Sequence, residues 1–330
     1  MKLRTTAIAM AVAGIVAAPV AVQAGADEVY ASARVGIKYT DAKLKDTSAA
    51  ATSDFDVKSF ASRFGMRGET DLGNGLTGFG RYEFGVNSAE SSSNTITSRH
   101  VYVGLKGDFG SVLVGQTYHT FYNFVVGPLD NPWWHSTGTM VESVGRTAGG
   151  ITYAGGAGAV NFGATAYFKS DSEETAPDAL ELGASFAVGD STIGVAYRSV
   201  DIDGAVKLQG NQFNGLDANG DENPRGTDED VMAVAWSGIG IGSTTLGVSY
   251  MNQDKDNGIV VDWAIGNAYV HLETVDYDAG QTPMDITFGY TQSLGRKTTM
   301  YYELNSKDAD SGNSDDDYMA VMAVLKYDII

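Results

Sequence analysis

The sequence predicts an all-β chain, a transmembrane antiparallel β-barrel of about sixteen strands with short periplasmic turns and long acidic extracellular loops. Segments of about ten residues alternate apolar and polar side chains along the whole chain, Gly-rich turns punctuate them, and an apolar leader stands in front. The clearest copy is Ser62 to Val86. Phe64, Met66 and Gly68 share one face of its first half, and Arg63, Arg67 and Glu69 share the other. After the turn from Asp71 to Gly75, Leu76, Gly78, Gly80, Tyr82 and Phe84 face one way, and Thr77, Arg81 and Glu83 the other. A period of two on both sides of a Gly-Asn-Gly turn is the pattern of a β-hairpin.

Residues 1–24 read as a secretory signal peptide. Lys2 and Arg4 form a basic start, Ala7 to Ala18 an apolar stretch, and Val22-Gln23-Ala24 a cleavage region; Ala24-Gly25-Ala26 offers a second site after residue 26. An N-terminal anchor helix is the weaker alternative, because the stretch is short and wrongly flanked. Residues 25–330 then form one domain, the barrel. No later stretch is apolar for the eighteen or so residues a spanning helix needs. The mean hydropathy of -0.13 does not argue against a barrel, whose lipid and lumen faces alternate and cancel in any average.

Composition narrows the function. With no cysteine among 330 residues, a disulfide-stapled secreted domain and a thiolate metal site are both excluded. Glycine is abundant at 41 residues and proline scarce at 6, which suits turns and close strand approach without loss of ladder hydrogen bonds. Seventeen tyrosines and four tryptophans fit aromatic girdles at two membrane interfaces. The formal charge of -19 becomes -21 once the leader, with Lys2 and Arg4 and no acid, is removed. Such a chain repels nucleic acid and attracts cations to its acidic loops.

The strands are expected in order. Val29 to Tyr39 is the first, with Val29, Ala31, Ala33, Val35 and Ile37 toward lipid and Tyr30, Ser32, Arg34, Gly36 and Lys38 toward the lumen. An arginine left on the lipid side near the midplane would cost about 2–4 kcal/mol, which fixes this orientation. The hairpin from Ser62 to Val86 supplies the next two, Ser98 to Lys106 the fourth, Ser111 to Tyr118 the fifth, the stretch after Arg146 the sixth and Val160 to Phe168 the seventh. Pairs follow at Leu180 to Ser199, Val231 to Met251, Ile259 to Val275 and Ile286 to Asn305, and Tyr318 to Ile330 closes the chain. Leu72 to Gly75, Gly107 to Gly110, Gly189 to Ser191 and Ser293 to Arg296 are expected as short turns; Asp41 to Asp56, Lys169 to Asp178, Asp201 to Asp230 and Lys307 to Asp317 as long acidic loops.

The stretches SRFGMRGETDLGNGL and SRHVYVGLKGDFGSVLVGQTYHTFY, with the final alternating strand, resemble the general diffusion porins of Gram-negative bacteria. The matching residues are Ser62, Arg63, Gly65, Gly68, Asp71, Leu72, Gly73 and Gly75, then Arg99, Tyr102, Val103, Gly104, Leu105, Phe109, Gly110 and Gly115. The resemblance is dense over Ser62 to Tyr122 and architectural elsewhere. It implies a homotrimer, insertion by the barrel-assembly machinery among outer-membrane lipid and lipopolysaccharide, and a third loop folded into the lumen opposite inward arginines. Two departures stand out. Gly149-Gly150 and Thr152 replace the polar pair and the second arginine that usually follow the third loop, so one wall charge is missing at Thr152. The chain ends Tyr327-Asp328-Ile329-Ile330 where the family ends in an aromatic.

Arg34, Lys38, Arg63, Arg67 and Arg81 fall on lumen faces of adjacent strands, and with Arg146 they are the expected constriction wall, with Lys38 and Arg67 nearest the strand ends. The loop from His119 to Gly145 is the expected constriction loop. Its only acids, Asp130 and Glu142, are placed to oppose the arginines, and Trp133-Trp134 either form a solute platform or anchor the loop. Asp217, Asn219 and Asp221, with a weaker cousin around Asp308 to Asp315, alternate oxygen ligands as Ca²⁺ sites do but miss the EF-hand spacing. A solvated acidic loop, loosely gathering Ca²⁺ or Mg²⁺, is the plainer reading; no other cofactor is expected. The four histidines, His100, His119, His135 and His271, show no metal-ligand spacing and no nucleophile partner, so no catalysis is expected. The expected function is passive diffusion of ions and small hydrophilic solutes, with a weak to moderate cation preference because Thr152 removes a wall charge. A substrate-specific porin using Trp133 and Trp134, and a surface adhesin or structural barrel without transport, are the alternatives.

Overall fold

Strict alternation makes each strand a two-faced object that needs lipid on one side and water on the other, and a lipid-exposed sheet edge cannot survive. The computed structural model describes residues 23–24, 28–42, 52–87, 96–135, 145–168, 177–200, 230–253, 255–278, 280–308, 310 and 317–330. It resolves the conflict by closure. The barrel strands are β1 (Glu28–Ala42), β2 in two halves (Thr52–Ser59 and Arg63–Gly73), β3 (Leu76–Val86), β4 (Ile96–Gly107), β5 (Gly110–Thr117), β6 (Thr147–Ala157), β7 (Val160–Tyr167) and β8 (Ala179–Val188). They continue as β9 (Ser191–Val200), β10 (Val231–Ile241), β11 (Thr244–Gln253), β12 (Asp256–Ile265), β13 (Ala268–Asp276), β14 (Met284–Gly295), β15 (Thr298–Asp308) and β16 (Tyr318–Asp328). Each pairs antiparallel with the next, and β16 returns to β1 in a register running from Tyr318 opposite Ala42 to Asp328 opposite Ser32. A two-residue segment, Gln23–Ala24, pairs with Asp71 and Thr70 at the turn end of β2.

The sixteen-stranded expectation is therefore borne out, with one boundary corrected. Residues 41–56 are not all loop: β1 runs to Ala42, and Thr52–Ser59 is the outer half of β2, paired with β1 from Ala42 to Val35. The halves of β2 are separated by a bulge at Phe60 to Ser62, where Ala61 takes a left-handed φ of 56°. Ser62 Oγ accepts from the Arg34 amide at 2.8 Å, and the Phe60 amide donates to the Arg34 carbonyl at 2.8 Å, so both backbone groups of Arg34 keep partners across the bulge. The bulge turns Phe60 inward and buries it completely.

All seven connections at one end are two-residue turns, from Asn74-Gly75 to Arg296-Lys297. Asn74 and Gly75 both have positive φ, 53° and 75°, and Gly158, Gly189, Gly242 and Gly266 each supply a positive φ at the first turn position. These are the primed turns whose twist matches antiparallel strands. The last turn, expected within Ser293 to Arg296, falls at Arg296-Lys297, because β14 reaches Gly295. At the other end β11 and β12 are joined by only 254–255, an exception to the long loops.

The outward faces carry exposed apolar side chains: Val103 is 62% exposed, Met66 52% and Trp263 50%. No helix among the described residues is long and apolar enough to cross a membrane, so the strands make the crossing. Leu304, mid-strand on the outward face of β15 and 40% exposed, reports the depth of the apolar belt. Leu304→Arg is expected to lower folding stability by about 2–4 kcal/mol in urea titrations of vesicle-inserted protein.

Candidate functional site: the lumen constriction

After Thr117 the chain leaves the wall and folds inward. Its short helical turns, Tyr122–Val126 and Gly127–Leu129 with Pro128 inside the second, carry the apolar residues. Phe121, Val125, Val126 and Leu129 are buried against Ala196, Val231, Ala233, Ala235, Met251, Val260 and Val275, all on the inward faces of β9 to β13. Glycines make room for this. A Cβ on Gly194 would lie 1.9 Å from the Phe124 carbonyl oxygen, one on Gly183 2.6 Å from the Phe124 ring, and one on Gly163 3.0 Å from the same ring. Gly163 and Gly183 are cross-strand partners, so the phenyl ring sits in a socket spanning β7 to β9.

Backbone inside a barrel still needs hydrogen-bond partners, and three wall stations provide them. At the root, burial lowers the His119 pKa and keeps its ring neutral. Nε2 then donates to the Thr147 carbonyl at 2.9 Å and Nδ1 accepts from Thr152 at 2.6 Å. That direction carries through Thr165, which donates to Thr152, to Thr120, which donates to Thr165, both at 2.8 Å. In the middle, buried Glu181 accepts from the Phe121 amide at 2.8 Å and the Tyr167 hydroxyl at 2.9 Å. At the tip, the carboxylate of Glu303 accepts from three successive amides, Trp133, Trp134 and His135, and from the Tyr269 hydroxyl. Asn131 adds a bond to Asp262, whose other oxygen faces His271 at 2.9 Å; the second ring nitrogen of His271 meets Glu273 at 2.8 Å. Trp133 stacks on Tyr301 with ring centroids 4.4 Å apart, and Trp134 meets Phe60 edge-on at 4.9 Å.

Opposite the tip stands the basic wall. Glu83, fully buried, accepts from Arg81 Nη2 at 2.5 Å, Arg99 Nε at 2.7 Å and the Tyr30 hydroxyl at 2.9 Å, and pairs with Arg63 at 3.5 Å. Tyr30 in turn accepts from Arg81 Nε at 2.8 Å. One carboxylate thus holds three guanidiniums, which remain 14–25% exposed to the lumen. Arg34, Arg63, Arg99 and Arg146 line a cavity of about 590 Å³ with Tyr118, Trp133, Trp134 and Asp130. Asp130 accepts from the Tyr122 hydroxyl at 2.6 Å. Burial raises its pKa from the ordinary carboxylate value, against the pull of that hydrogen bond and of Arg146.

Of the residues singled out from sequence, Arg34, Arg63, Arg81, Arg146, Asp130, Trp133 and Trp134 come together here. Lys38 lies further out on β1, opposite Asp56. Arg67 lies toward the turns, paired with Glu28 at 2.5 Å. Glu142 and Asp217, Asn219 and Asp221 lie outside the described residues, and among the described ones no cluster of three or more His, Asp or Glu is placed to hold a metal ion. The tryptophans are packed as anchors. Thr152 is not a vacant wall position but a link in the root of the loop. Arg99 is the residue that alternation hides. It shares parity with outward Val101 and Val103, yet a register shift between Glu83 and Phe84 makes it the extra residue of a bulge, and its guanidinium reaches Glu83 on the lumen side.

The sequence profile of the family described as Gram-negative porin matches residues 5–313. The chain belongs to that family. The outer membrane porin protein OmpD of Salmonella typhimurium is 29% identical over 276 residues, 76% of this chain and 71% of that protein. The outer membrane porin protein LC of Enterobacteria phage PA-2 is 39% identical over 101 residues, 28% of this chain and 27% of that protein. Two solved structures share the fold. The anion-selective porin from Comamonas acidovorans has a TM-score of 0.67 at 15% identity, covering 92% of this chain and 100% of that one. OmpT of Vibrio cholerae in its trimer form scores 0.65 at 16% identity, covering 93% and 100%. This porin is accordingly an outer-membrane diffusion channel, and the loop from His119 folds into its lumen.

Filling the socket separates the loop from the wall. Gly194→Val is expected to leave a folded barrel with a larger single-channel conductance, since the Phe124 carbonyl must move away; an unchanged conductance would show that the wall gives instead. Replacing the buried acid of the basic wall, Glu83→Gln, removes a negative charge shared by three arginines. Reversal potentials in a KCl gradient should shift toward chloride, with about 1–3 kcal/mol of stability lost in urea.

Proposed function

We propose that this porin is a homotrimer, exported by a cleaved leader of residues 1–24, whose constriction prefers anions. The preference rests on one observation: four guanidiniums line the cavity, whereas the acids nearest it among the described residues are engaged by partners. Glu83 is spent on Arg63, Arg81 and Arg99, Glu303 on the loop tip, and half-buried Asp130, at the cavity edge, is bound by the Tyr122 hydroxyl. A field in a narrow lumen is screened less than one at an open mouth, where charge fades over about 8–10 Å at physiological salt. This reverses the cation preference expected from sequence, because that expectation counted Thr152 as a lost wall charge and left out Arg99. The acidic outer loops gather cations, and divalent ions with lipopolysaccharide, at the mouth without setting the preference further in. The aromatic-platform alternative loses weight, since Trp133 and Trp134 are engaged with Tyr301, Phe60 and the Glu303 carboxylate.

In a planar bilayer with a KCl gradient, currents are expected to appear in steps of three with a reversal potential on the chloride side. Potassium preference would return control to the acidic loops and overturn the anion reading; folded, inserted protein that passes no current would leave a structural or adhesive barrel.

A further inference from the structure

Two aromatic stacks end in guanidinium groups on the constriction cavity. In one, Tyr301 and Trp133 lie within 16° of parallel, and Arg34 Cζ stands 5.6 Å from the indole centre. In the other, Tyr122 and Tyr118 lie 3.7 Å apart and within 9° of parallel, and Arg146 Cζ stands 4.9 Å from the centre of Tyr118. Neither arginine is paired with a carboxylate among the described residues. Arg34 Nε donates to Ser32 Oγ at 3.0 Å, and Arg146 Nη1 donates to the Tyr118 hydroxyl. Among the described residues both guanidiniums are thus held in place by neutral partners, unlike Arg63, Arg81 and Arg99, which share Glu83.

A guanidinium offers two kinds of contact. Its edge presents donors in a fork that fits an oxyanion, and its face stacks on aromatic rings. Here the rings behind fix its position and leave the cavity side to a solute. The volume of about 590 Å³ lies within the range of about 300–1,000 Å³ typical of small-molecule sites. Trp133 itself has both Tyr301 and Arg34 over its ring, so the arginine shares that surface with any incoming ring.

Building on the anion preference proposed above, we infer that the cavity is a binding site for planar aromatic anions, a ring carrying a carboxylate or similar oxyanion. The forks of Arg34 and Arg146, which no described carboxylate occupies, take the oxyanion and their faces take the ring. Passage of that class is saturable, where other small solutes simply diffuse.

The test is block of single-channel chloride current by benzoate, cyclohexanecarboxylate and acetate, using the full-length protein in planar bilayers at fixed chloride. Benzoate should half-block at a concentration about threefold to tenfold below that of cyclohexanecarboxylate, which has the same charge and nearly the same size without the flat ring. Acetate should be weaker still. Arg34→Lys and Arg146→Lys combined keep the charge and remove the planes, and should bring the benzoate value to that of cyclohexanecarboxylate. Lys106→Gln, remote from the cavity and paired with Glu69, should leave the benzoate value where it was. Only inserted channels carry current, so each value is read on folded protein. Equal block by benzoate and cyclohexanecarboxylate, or a benzoate preference that survives the double lysine variant, would overturn the inference even with the reversal potential on the chloride side. A reversal potential on the potassium side would overturn the anion reading beneath it.

Discussion

Every backbone group in this molecule that leaves water must find a partner within the chain. In the wall the demand is met by the continuous antiparallel ladder that closes where β16 meets β1. Closure then dictates the rest. Side chains must alternate between lipid and lumen, the turns at one end must be tight, and the lumen must be lined by what the outward faces cannot carry. The bulges at Phe60 to Ser62 and at Arg99 break the alternation locally. Each places a lumen residue, Phe60 or Arg99, where the constriction uses it.

The same demand reappears inside the barrel. The loop that narrows the lumen brings its amides away from bulk water, and the wall answers with side chains instead of a ladder. The threonines and His119 serve its root, Glu181 its middle and Glu303 its tip. These carboxylates are occupied by the loop, and Glu83 by three arginines. Lumen acids are thus taken up by structure, Glu181 and Glu303 by the loop and Glu83 by the arginines beside it.

Much of the fold was legible in sequence, because period-two alternation and Gly-centred turns are local signals. Val29 to Ile37 and the hairpin from Ser62 to Val86 show both, and the structure keeps those faces. The arginines Arg34, Arg63 and Arg81 were readable for the same reason, each lying on the polar parity of its strand. What was not legible depends on departures from parity and on contacts distant in the chain. Arg99 sits on the lipid parity and is rescued by a bulge. Glu303 meets the loop tip from 168 residues away. The outer half of β2 lies in a stretch that Asp41, Asp46, Asp54 and Asp56 make read as loop. One missed signal was present: Val231 to Trp236 is apolar on both parities, which in a barrel wall means that something apolar covers the inside, and the loop does so at Val231, Ala233 and Ala235.

The socket formed by Gly163, Gly183 and Gly194 separates two properties that a barrel could have tied together. Pore circumference is set by strand number and register, which involve every pair of neighbours. Aperture is set by how closely one loop can approach three positions that lack a side chain. Changes at those positions act on aperture while leaving the ladder intact, so an outer membrane under selection can adjust its sieve one residue at a time, with the envelope-building part of the protein conserved.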